Sequence, residues 1–468
     1  MFKVSNVSNM PNISPWTRYL AYIYALFPLS DYLIRHMLGL STLAALWDKG
    51  LLFILAGSAL LFHFDKTKWH ALMHTLKWPL ILWIGLGIAH LFLDLPNFAA
   101  SFDGFRAVYF YMLAALIGLF LFDDEASSRR LLDLLLAVAT LAAIVGIGQY
   151  IVGVDVPASW TDVSEKTSRR AFSFVVSPNV FGSYMALFTP IAAGLLLISK
   201  TSWGRFYYSI SFFLLGAGLI LSASRGAWLA LALSALVTAF MLRRIYALAL
   251  SSVFVLLTAI IPPIRRRILA LISPTYWEKS GSDGRIARWT RAYHEMRFDP
   301  FFGKGLGHYG GATGQRYFGT TYVDSYYFKT LAETGLVGLG LLLYLLLTLL
   351  VALWQKTIAQ KDRTTKILTI SLITGLTAVL LHNAVENIFE VPFMNAYFWL
   401  IVGLTFSMLW RGEDPAVRFT EDAPSKDTPS GHHQSSSPIQ PSSLMQPPGQ
   451  NHNMPPATQL KAKVNGHA

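Results

Sequence analysis

The sequence predicts an all-α polytopic membrane protein with about twelve transmembrane helices. Of its 468 residues, 53% are apolar and only 14% are charged, whereas soluble domains carry about 25% charged residues. Aromatic residues also reach 14%, which suits a protein that lines two membrane–water interfaces. The chain has no cysteine, so disulfides, thiolate metal sites and cysteine nucleophiles are excluded.

Twelve apolar runs predict the individual spans. Each is long enough to cross the roughly 30 Å hydrocarbon layer as a helix. They lie at about 17–34, 45–64, 77–93, 106–122, 131–153, 176–199, 206–222, 226–242, 245–263, 330–354, 366–385 and 392–410. The first run is the weakest, because Asp31 and Arg35 crowd its end. The polar residues before it are followed by no small-residue cleavage site, so we expect no removable signal peptide.

Basic residues in the short connections predict the orientation of the chain. With a cytoplasmic N-terminus, the inner connections hold thirteen Lys and Arg, whereas the short outer connections hold few. Lysine and arginine concentrate in cytoplasmic loops of membrane proteins. We therefore expect a multi-pass protein of the cytoplasmic (inner) membrane with both termini in the cytoplasm.

Two segments differ from the rest of the sequence. Residues 264–329, between the ninth and tenth spans, form an extracytoplasmic loop of the integral membrane domain 1–411. In this loop, up to Tyr327, ten Lys and Arg stand against five acidic residues. Residues 412–468 hold nine of the 22 prolines and are nearly neutral, which predicts a disordered cytoplasmic tail. The net charge of +12 therefore belongs to the membrane part, and the basic loop predicts an anionic ligand at the outer face.

An arginine lies between the seventh and eighth spans, in the run L-S-A-S-R-G-A-W at residues 221–228. The start of the eighth helix presents free backbone N–H groups beside Ser224, and these groups and the Arg225 guanidinium could hold an anion together. The alternative is an interfacial arginine that extends to lipid headgroups, with Trp228 as an aromatic anchor.

The basic loop contains a predicted amphipathic helix. Its apolar residues follow helical spacing, and its arginines lie on the opposite face. The apolar residues are Ile286, Trp289, Tyr293 and Met296, and the arginines are Arg285, Arg288 and Arg291. The arginines could face phosphates at the outer leaflet, or they could form an ordinary solvated surface.

Two further motifs precede the tenth span. The spacing G-x-G-x-G at residues 303–307 is weak evidence for a nucleotide site, because the chain offers no strand before it. A turn that brings the backbone close to a partner or ligand is the better interpretation. Asp324, at the outer start of the tenth span, could accept a proton from an attacking hydroxyl, or it could cap the helix.

Polar residues also mark the outer ends of the sixth and eleventh spans. Arg169 and Arg170 precede the S-P-N element at residues 177–179, and His382, Asn383, Glu386 and Asn387 follow the eleventh span. These side chains could line a cavity, although hydrogen bonds between helices are the commoner role. The sequence contains no H-E-x-x-H motif and no acidic metal cage, so no metal site is predicted.

The motifs occur in a characteristic order. S-x-S-R-G-A-W lies between two spans, G-R-x-x-x-W-x-x-A and D-P-F-F-G-x-G-x-G lie in the loop, and D-S-Y-Y with E-T-G-L-V-G opens the next helix. In this order, over residues 20–410, the chain resembles the O-antigen ligase and polymerase superfamily of bacterial membrane glycosyltransferases.

The resemblance implies a C-type glycosyltransferase membrane fold and a role in surface polysaccharide biosynthesis. A glycan would be transferred from an undecaprenyl-diphosphate carrier to a hydroxyl of a glycan or glycolipid acceptor, at the outer face of the membrane, with no metal, cofactor or nucleic acid. Arg225 and Arg285 match arginines that are functional in the family. Asp324 stands where ligases commonly carry His, and we include it as a candidate catalytic residue. The side chains expected to bind substrate are Arg169, Arg170, Ser224, Arg288, Arg291 and Tyr327.

Two alternatives remain open at this stage. A polysaccharide polymerase of the same superfamily would use the same donor chemistry. A lipid-linked oligosaccharide flippase is a different class, but many transporters are built from internal repeats, and this sequence shows none and concentrates its basic loop on one side.

Overall fold

The computed structural model describes residues 15–156, 169–260, 265, 269 and 273–411. The predicted disordered tail, 412–468, lies outside the described residues. Within them there is no strand, and a single isolated bridge joins Gly310 and Tyr322. The α-helices are α1 Pro15–Tyr24, α2 Phe27–Tyr32, α3 Ser41–Phe62, α4 Lys66–Leu93, α5 Phe98–Tyr109, α6 Ala114–Phe120, α7 Glu125–Val152, α8 Pro178–Ile198, α9 Ser202–Leu221, α10 Arg225–Leu242, α11 Arg244–Ile260, α12 Pro274–Ser282, α13 Arg285–Met296, α14 Ala312–Phe318, α15 Tyr326–Ala359, α16 Arg363–His382 and α17 Pro392–Leu409.

The predicted fold class is confirmed. In the part of the chain that the structure describes, 10 helices are long and apolar enough to cross a membrane, with α5 and α6 counted as one continuous span. The other two predicted spans are also helical but shorter. The first is divided into α1, α2 and a π-helical turn at Leu33–Met37, and the ninth is α11, with 17 residues. The number of twelve crossings therefore stays a prediction.

Capping residues, and not the ends of the apolar runs, decide where several helices begin. α4 begins at Lys66, well before the apolar run predicted from residue 77, because the Asp65 carboxylate accepts hydrogen bonds from the backbone N–H groups of Thr67 and Lys68 at 2.8 and 3.2 Å. Such caps satisfy N–H groups that have no partner within the helix. Polar first turns thus extend the helices beyond the hydrocarbon layer.

α17 and α8 form the centre of the bundle. Their membrane-crossing segments are 94% and 72% buried. Small residues allow neighbouring helices to approach these two closely. A Cβ atom added at Gly118 or Gly403 would overlap the backbone between α6 and α17, and one added at Gly375 of α16 would overlap the Leu187 carbonyl of α8. Close backbone approach at small residues stabilises helix packing in membranes, where burial of apolar surface gains little.

Successive spans alternate in direction, so their connections gather at two faces. At one face the backbone N–H of Tyr326 donates to the carbonyl of Asn383 at 2.9 Å, and His308 lies 3.1 Å from Asp94. At the other face Arg18 pairs with Asp124 at 3.0 Å. We call the first side the loop face. It comprises Asp94 and residues 169–177, 222–224, 273–325 and 383–391.

The loop is anchored to the membrane domain at a break in α15. The helix is interrupted at Gly335, where φ is 66°, so nearby backbone groups lose their helical partners. The N–H groups of Leu336 and Val337 donate instead to the carbonyls of Pro300 and Phe301, at 2.9 and 3.1 Å. Main-chain hydrogen bonds therefore fix the D-P-F-F segment onto the span.

The glycine-rich turn completes the same contact. The N–H groups of Lys304 and Gly305 donate to the carbonyls of Ala332 and Glu333 at 3.0 and 2.8 Å. Gly303 has a φ of 68°, and a Cβ atom there would lie 2.5 Å from the backbone carbon of Glu333. The interpretation of this motif as a turn in close contact with a partner is confirmed, and the partner is the broken helix of the chain itself.

Candidate active site

A paired set of charges lies where the loop helix α13 meets the start of α15. Arg288 pairs with Asp324 at 2.9 Å, and the Nε atom of Arg285 lies 3.8 Å from the same carboxylate oxygen. The indole N–H of Trp289 donates to the Asp324 carbonyl at 3.1 Å. The Trp289 ring is stacked on Phe328 with a centroid separation of 5.3 Å. This packing holds the arginine face of α13 toward the membrane domain.

Arg285 also contacts a second carboxylate, Glu386, in the connection between α16 and α17. Its Nη2 atom lies 3.4 Å from Glu386 Oε2, and the Glu386 side chain is only 6% exposed. The Asn179 amide donates to the same oxygen at 2.6 Å. Burial raises the pKa of Glu386 to about 7, with Arg285 opposing and Asp324 adding to the rise. Glu386 is therefore a buried carboxyl that gains or loses its proton near neutral pH.

A chain of hydrogen bonds orients Asn179. Arg170 donates to the Asn179 side-chain oxygen at 2.8 Å and, through Nε, to the carbonyl of Ser222 at 3.0 Å. The amide oxygen of Asn179 therefore faces Arg170, which leaves its NH₂ group to donate to Glu386. The segment that precedes α8 thus joins the end of α9 to the Glu386 carboxylate.

Arg225 is the first residue of α10. The Ser224 hydroxyl caps this helix by accepting from the N–H of Ala227 at 3.5 Å, and Ala223 before it has a left-handed backbone with φ of 53°. The Arg225 guanidinium lies over the ring of Tyr276, 5.0 Å from its centroid. Trp228 is buried and donates to the Leu219 carbonyl at 2.7 Å. It is therefore not the exposed interfacial anchor that the alternative interpretation required.

Arg225 and Arg285 line the same open cavity, which has a volume of about 310 Å³. Its walls are mainly apolar and come from α10, α12, α13 and α16. Leu229 and Leu233 continue the α10 wall and are 40% and 47% exposed. Since a helix rises about 1.5 Å per residue, Leu233 lies roughly 12 Å along the span from Arg225. The cavity thus extends from two guanidinium groups into the depth of the membrane.

The structure does not bring every predicted site residue to this cavity. The Tyr327 hydroxyl donates to the Leu380 carbonyl at 2.9 Å, and exposed Arg291 pairs with Asp283 at 3.5 Å. Arg169 lies against Gly153. Ser224 acts as a helix cap, as described above. The residues gathered near the cavity are Arg170, Arg225, Arg285, Arg288 and Asp324.

Glu386 and Asn179 are the site residues that the sequence analysis underrated. The sequence shows both as polar side chains at the outer ends of spans, and this position favours hydrogen bonding between helices. Their hydrogen bond does join two helices, but it also lies beside Arg285. One sequence feature points to these two residues: the polar clusters 177–179 and 382–387 are predicted at the same face of the membrane as the basic loop.

Positive charge at this site comes from guanidinium groups. Over residues 15–156, 169–260 and 273–411, no group of three or more His, Asp or Glu side chains is arranged to hold a metal ion. Burial by itself would lower the pKa of Arg285, but Glu386 and Asp324 outweigh this effect and raise it. Arg285 is therefore a permanent positive charge at the mouth of the cavity.

Fold and site together define a polytopic membrane protein with a mainly apolar cavity at one face that is lined by two arginines, Arg225 and Arg285. Residues 210–343, from α9 into α15, match the family model described as O-antigen ligase. The chain thus carries an O-antigen ligase domain that includes Arg225, Arg285 and Asp324, and the resemblance to the O-antigen ligase superfamily is confirmed. This domain match indicates glycosyltransferase-like enzyme activity in polysaccharide biosynthesis. Comparison with curated proteins finds no match.

Proposed function

We propose that the protein transfers a glycan from an undecaprenyl-diphosphate carrier to an acceptor hydroxyl at the outer face of the cytoplasmic membrane. The observation that carries this proposal is the shared cavity of Arg225 and Arg285, whose apolar wall follows α10 into the membrane. A polyprenyl diphosphate has the matching form, with two phosphates attached to a long hydrocarbon. Guanidinium groups bind phosphate oxygens in a planar, bidentate manner.

The two arginines would act on the leaving group. As the bond between the anomeric carbon and the diphosphate oxygen breaks, its electron pair and negative charge stay with undecaprenyl diphosphate. Fixed positive groups that face this developing charge lower the barrier, and losing one such group typically costs about 10²-fold or more in rate. The arginines would thus stabilise the leaving diphosphate, which is a role that a bound metal ion can also serve.

Glu386 would serve as the general base. The acceptor hydroxyl oxygen forms the new bond to the anomeric carbon, and its proton passes to Glu386, which later returns it to water. A base is most effective when its pKa lies near the working pH, and burial gives Glu386 a pKa of about 7. Asp324 is the alternative base. Because it binds Arg288 and lies beside Arg285, we assign it the positioning of these arginines.

The break in α15 helps to distinguish an enzyme from a transporter. Broken helices in transporters use their freed backbone groups to bind substrate or ions. Here the N–H groups of Leu336 and Val337 are occupied by the carbonyls of Pro300 and Phe301. This favours an enzyme over a flippase. A polymerase of the same superfamily would use the same donor site, and only the product, a single transfer or a growing chain, separates it from a ligase.

The orientation forms part of the proposal. We place both termini in the cytoplasm and the loop face outside, where lipid-linked glycans are presented after they cross the membrane. The support is the concentration of Lys and Arg in the connections of the opposite face, as in Lys66, Lys68 and Lys200, since such residues are retained in the cytoplasm.

The test uses purified protein in lipid nanodiscs with undecaprenyl-diphosphate-linked glycan and a lipid A–core acceptor. We expect Arg225→Ala and Arg285→Ala each to lower the transfer rate by about 10²-fold. The matched control is Arg297→Ala, which removes an exposed arginine at the end of the same loop helix as Arg285 and should keep wild-type activity. Full activity in both site variants would refute the proposed function.

A further inference from the structure

A second cavity opens at the loop face, between the first helices of the chain and the segments that flank Glu386. It has a volume of about 320 Å³ and shares no lining residue with the cavity of Arg225 and Arg285. Its charged and polar lining residues are Asp31, Arg35, His36, Asp48 and Lys49. Its aromatic lining residues are Phe27, Tyr32, Phe174 and Phe393.

The charges of this second cavity are balanced in pairs. Asp48 has a side chain only 2% exposed and is held by Lys49 at 3.0 Å and by the Tyr111 hydroxyl at 2.7 Å. Nearer the mouth, Asp31 pairs with Arg35 at 3.0 Å. Two carboxylates and two cations cancel, so the cavity lacks the net positive field that would select a phosphate. It offers instead adjacent hydrogen-bond donors and acceptors.

Aromatic rings supply the rest of the lining. The rings of Tyr32 and His36 are stacked with a centroid separation of 4.9 Å, and Phe174 contacts Tyr32 from the side at 6.2 Å. A sugar ring presents C–H groups on its faces and hydroxyls around its edge. Aromatic faces bind such apolar surfaces, while carboxylate–cation pairs both accept from and donate to hydroxyls. The lining therefore matches an uncharged sugar.

Two backbone segments connect this cavity to the candidate base. At the end of α16 and just after it, Leu381, Ala384 and Val385 line the first cavity. Residues 391–393 line the second cavity, and Glu386 lies between the two groups in the sequence. In the other segment, Val175 and Val176 line the second cavity, and Asn179, three residues on, donates to Glu386. In the sequence, Glu386 thus lies between residues that line the first cavity and residues that line the second.

The wall of the second cavity is also strained. Ser173 and Val176 both have left-handed backbones, with φ of 57° and 67°. This conformation is costly for a β-branched residue such as valine. The N–H of Ser173 is held by the side-chain oxygen of Gln149 at 2.7 Å. Backbone strain that the surrounding contacts maintain is concentrated at binding and catalytic sites.

We propose that the second cavity binds an uncharged sugar unit of the acceptor and directs its hydroxyl to Glu386, while the first cavity presents the donor. This inference rests on the proposed function, since it assigns the acceptor of that reaction. The acceptor oxygen and the leaving diphosphate would then lie on opposite sides of the anomeric carbon, each at its own cavity.

The test measures transfer kinetics with varied acceptor and with varied donor. We expect Arg35→Ala and Tyr32→Ala to raise the KM for a lipid A–core acceptor about tenfold, the usual effect of losing one charged or aromatic contact. The KM for the donor and the slow hydrolysis of donor by water should stay at wild-type values. The matched control is Arg106→Ala, an arginine of similar exposure in α5 that pairs with Asp103 at 2.9 Å and does not line the second cavity.

The outcomes separate the two proposals. Wild-type protein without any transfer would refute the proposed function, and the acceptor assignment with it. Intact transfer, with the acceptor KM unchanged in both Arg35→Ala and Tyr32→Ala, would refute the acceptor site alone. An equal rise in donor and acceptor KM would also refute it, because that result indicates a general structural defect.

Discussion

Replacing Glu386 by glutamine tests the proposed chemistry most directly. Gln has the shape of Glu, and its side-chain oxygen can still accept the hydrogen bonds that Asn179 and Arg285 make to Glu386, at 2.6 and 3.4 Å. The substitution removes the ability to take up a proton near neutrality and keeps the packing. General base catalysis contributes about 10²- to 10⁴-fold, so we expect a loss of transfer rate in that range.

The pH dependence of the transfer rate gives a second test of Glu386 as the general base. Burial raises the pKa of Glu386 to about 7, and a base acts only when its proton is absent. The wild-type rate should therefore rise with pH, reach half of its plateau near pH 7, and fall to about one-hundredth of the plateau at pH 5. Glu386→Gln should lose this dependence, because its residual rate no longer needs that ionisation.

The assay is initial-rate transfer in nanodiscs at saturating donor and acceptor, from pH 5 to pH 8.5. Asp324→Asn is the comparison variant, since it alters the carboxylate that pairs with Arg288. We expect it to lower the plateau and to move the midpoint of the pH–rate profile downward, because the Asp324 charge contributes to the raised pKa of Glu386. The reasoning fails if Glu386→Gln retains more than about a tenth of the wild-type rate, or if Asp324→Asn is the variant that loses the pH dependence.

Two further predictions follow from the hydrogen bonds and the backbone. Asn179→Ala removes a donor that lowers the pKa of Glu386, so the midpoint of the pH–rate profile should move upward; an unchanged or lower midpoint would contradict the geometry. Gly303→Ala should lower the free energy of unfolding by about 3 kcal/mol, because it adds an overlap with Glu333 to backbone strain. Gly319→Ala, with a φ of 65° and open space around it, isolates the strain and should lose only about 1 kcal/mol. Thermal unfolding in detergent measures both, and equal losses would show that the contact with α15 is unimportant.

The spans could be predicted because each apolar run must satisfy its own backbone hydrogen bonds within the membrane. The ends of the helices were less accessible to prediction. α4 begins well before its apolar run because a single carboxylate, Asp65, caps it. The break of α15 at Gly335 could not be predicted from periodicity, because it depends on hydrogen bonds to Pro300 and Phe301, which are distant in sequence.

The residues of the candidate site also differ in whether the sequence could predict them. Arg225 could be predicted, because an arginine at a membrane helix end needs a solvating or anionic partner. Arg285 could be predicted from the arginine face of the amphipathic loop helix. Glu386 could not be assigned, because its raised pKa depends on burial and on three charged neighbours that are distant in sequence. Asn179 and Glu386, for example, are 207 residues apart. Only the packing of α8 against the end of α16 brings them together.

Anchoring of the loop through main-chain atoms has a consequence for how this protein can diversify. Pro300, Phe301, Lys304 and Gly305 bind the broken span through carbonyl and amide groups, so these hydrogen bonds do not depend on the side chains of Phe301 and Lys304. Mutations of surface side chains elsewhere in the loop would leave the height of Arg285 above the bilayer unchanged. A lineage could therefore alter which glycans are recognised while the distance between the guanidinium and the lipid diphosphate stays constant.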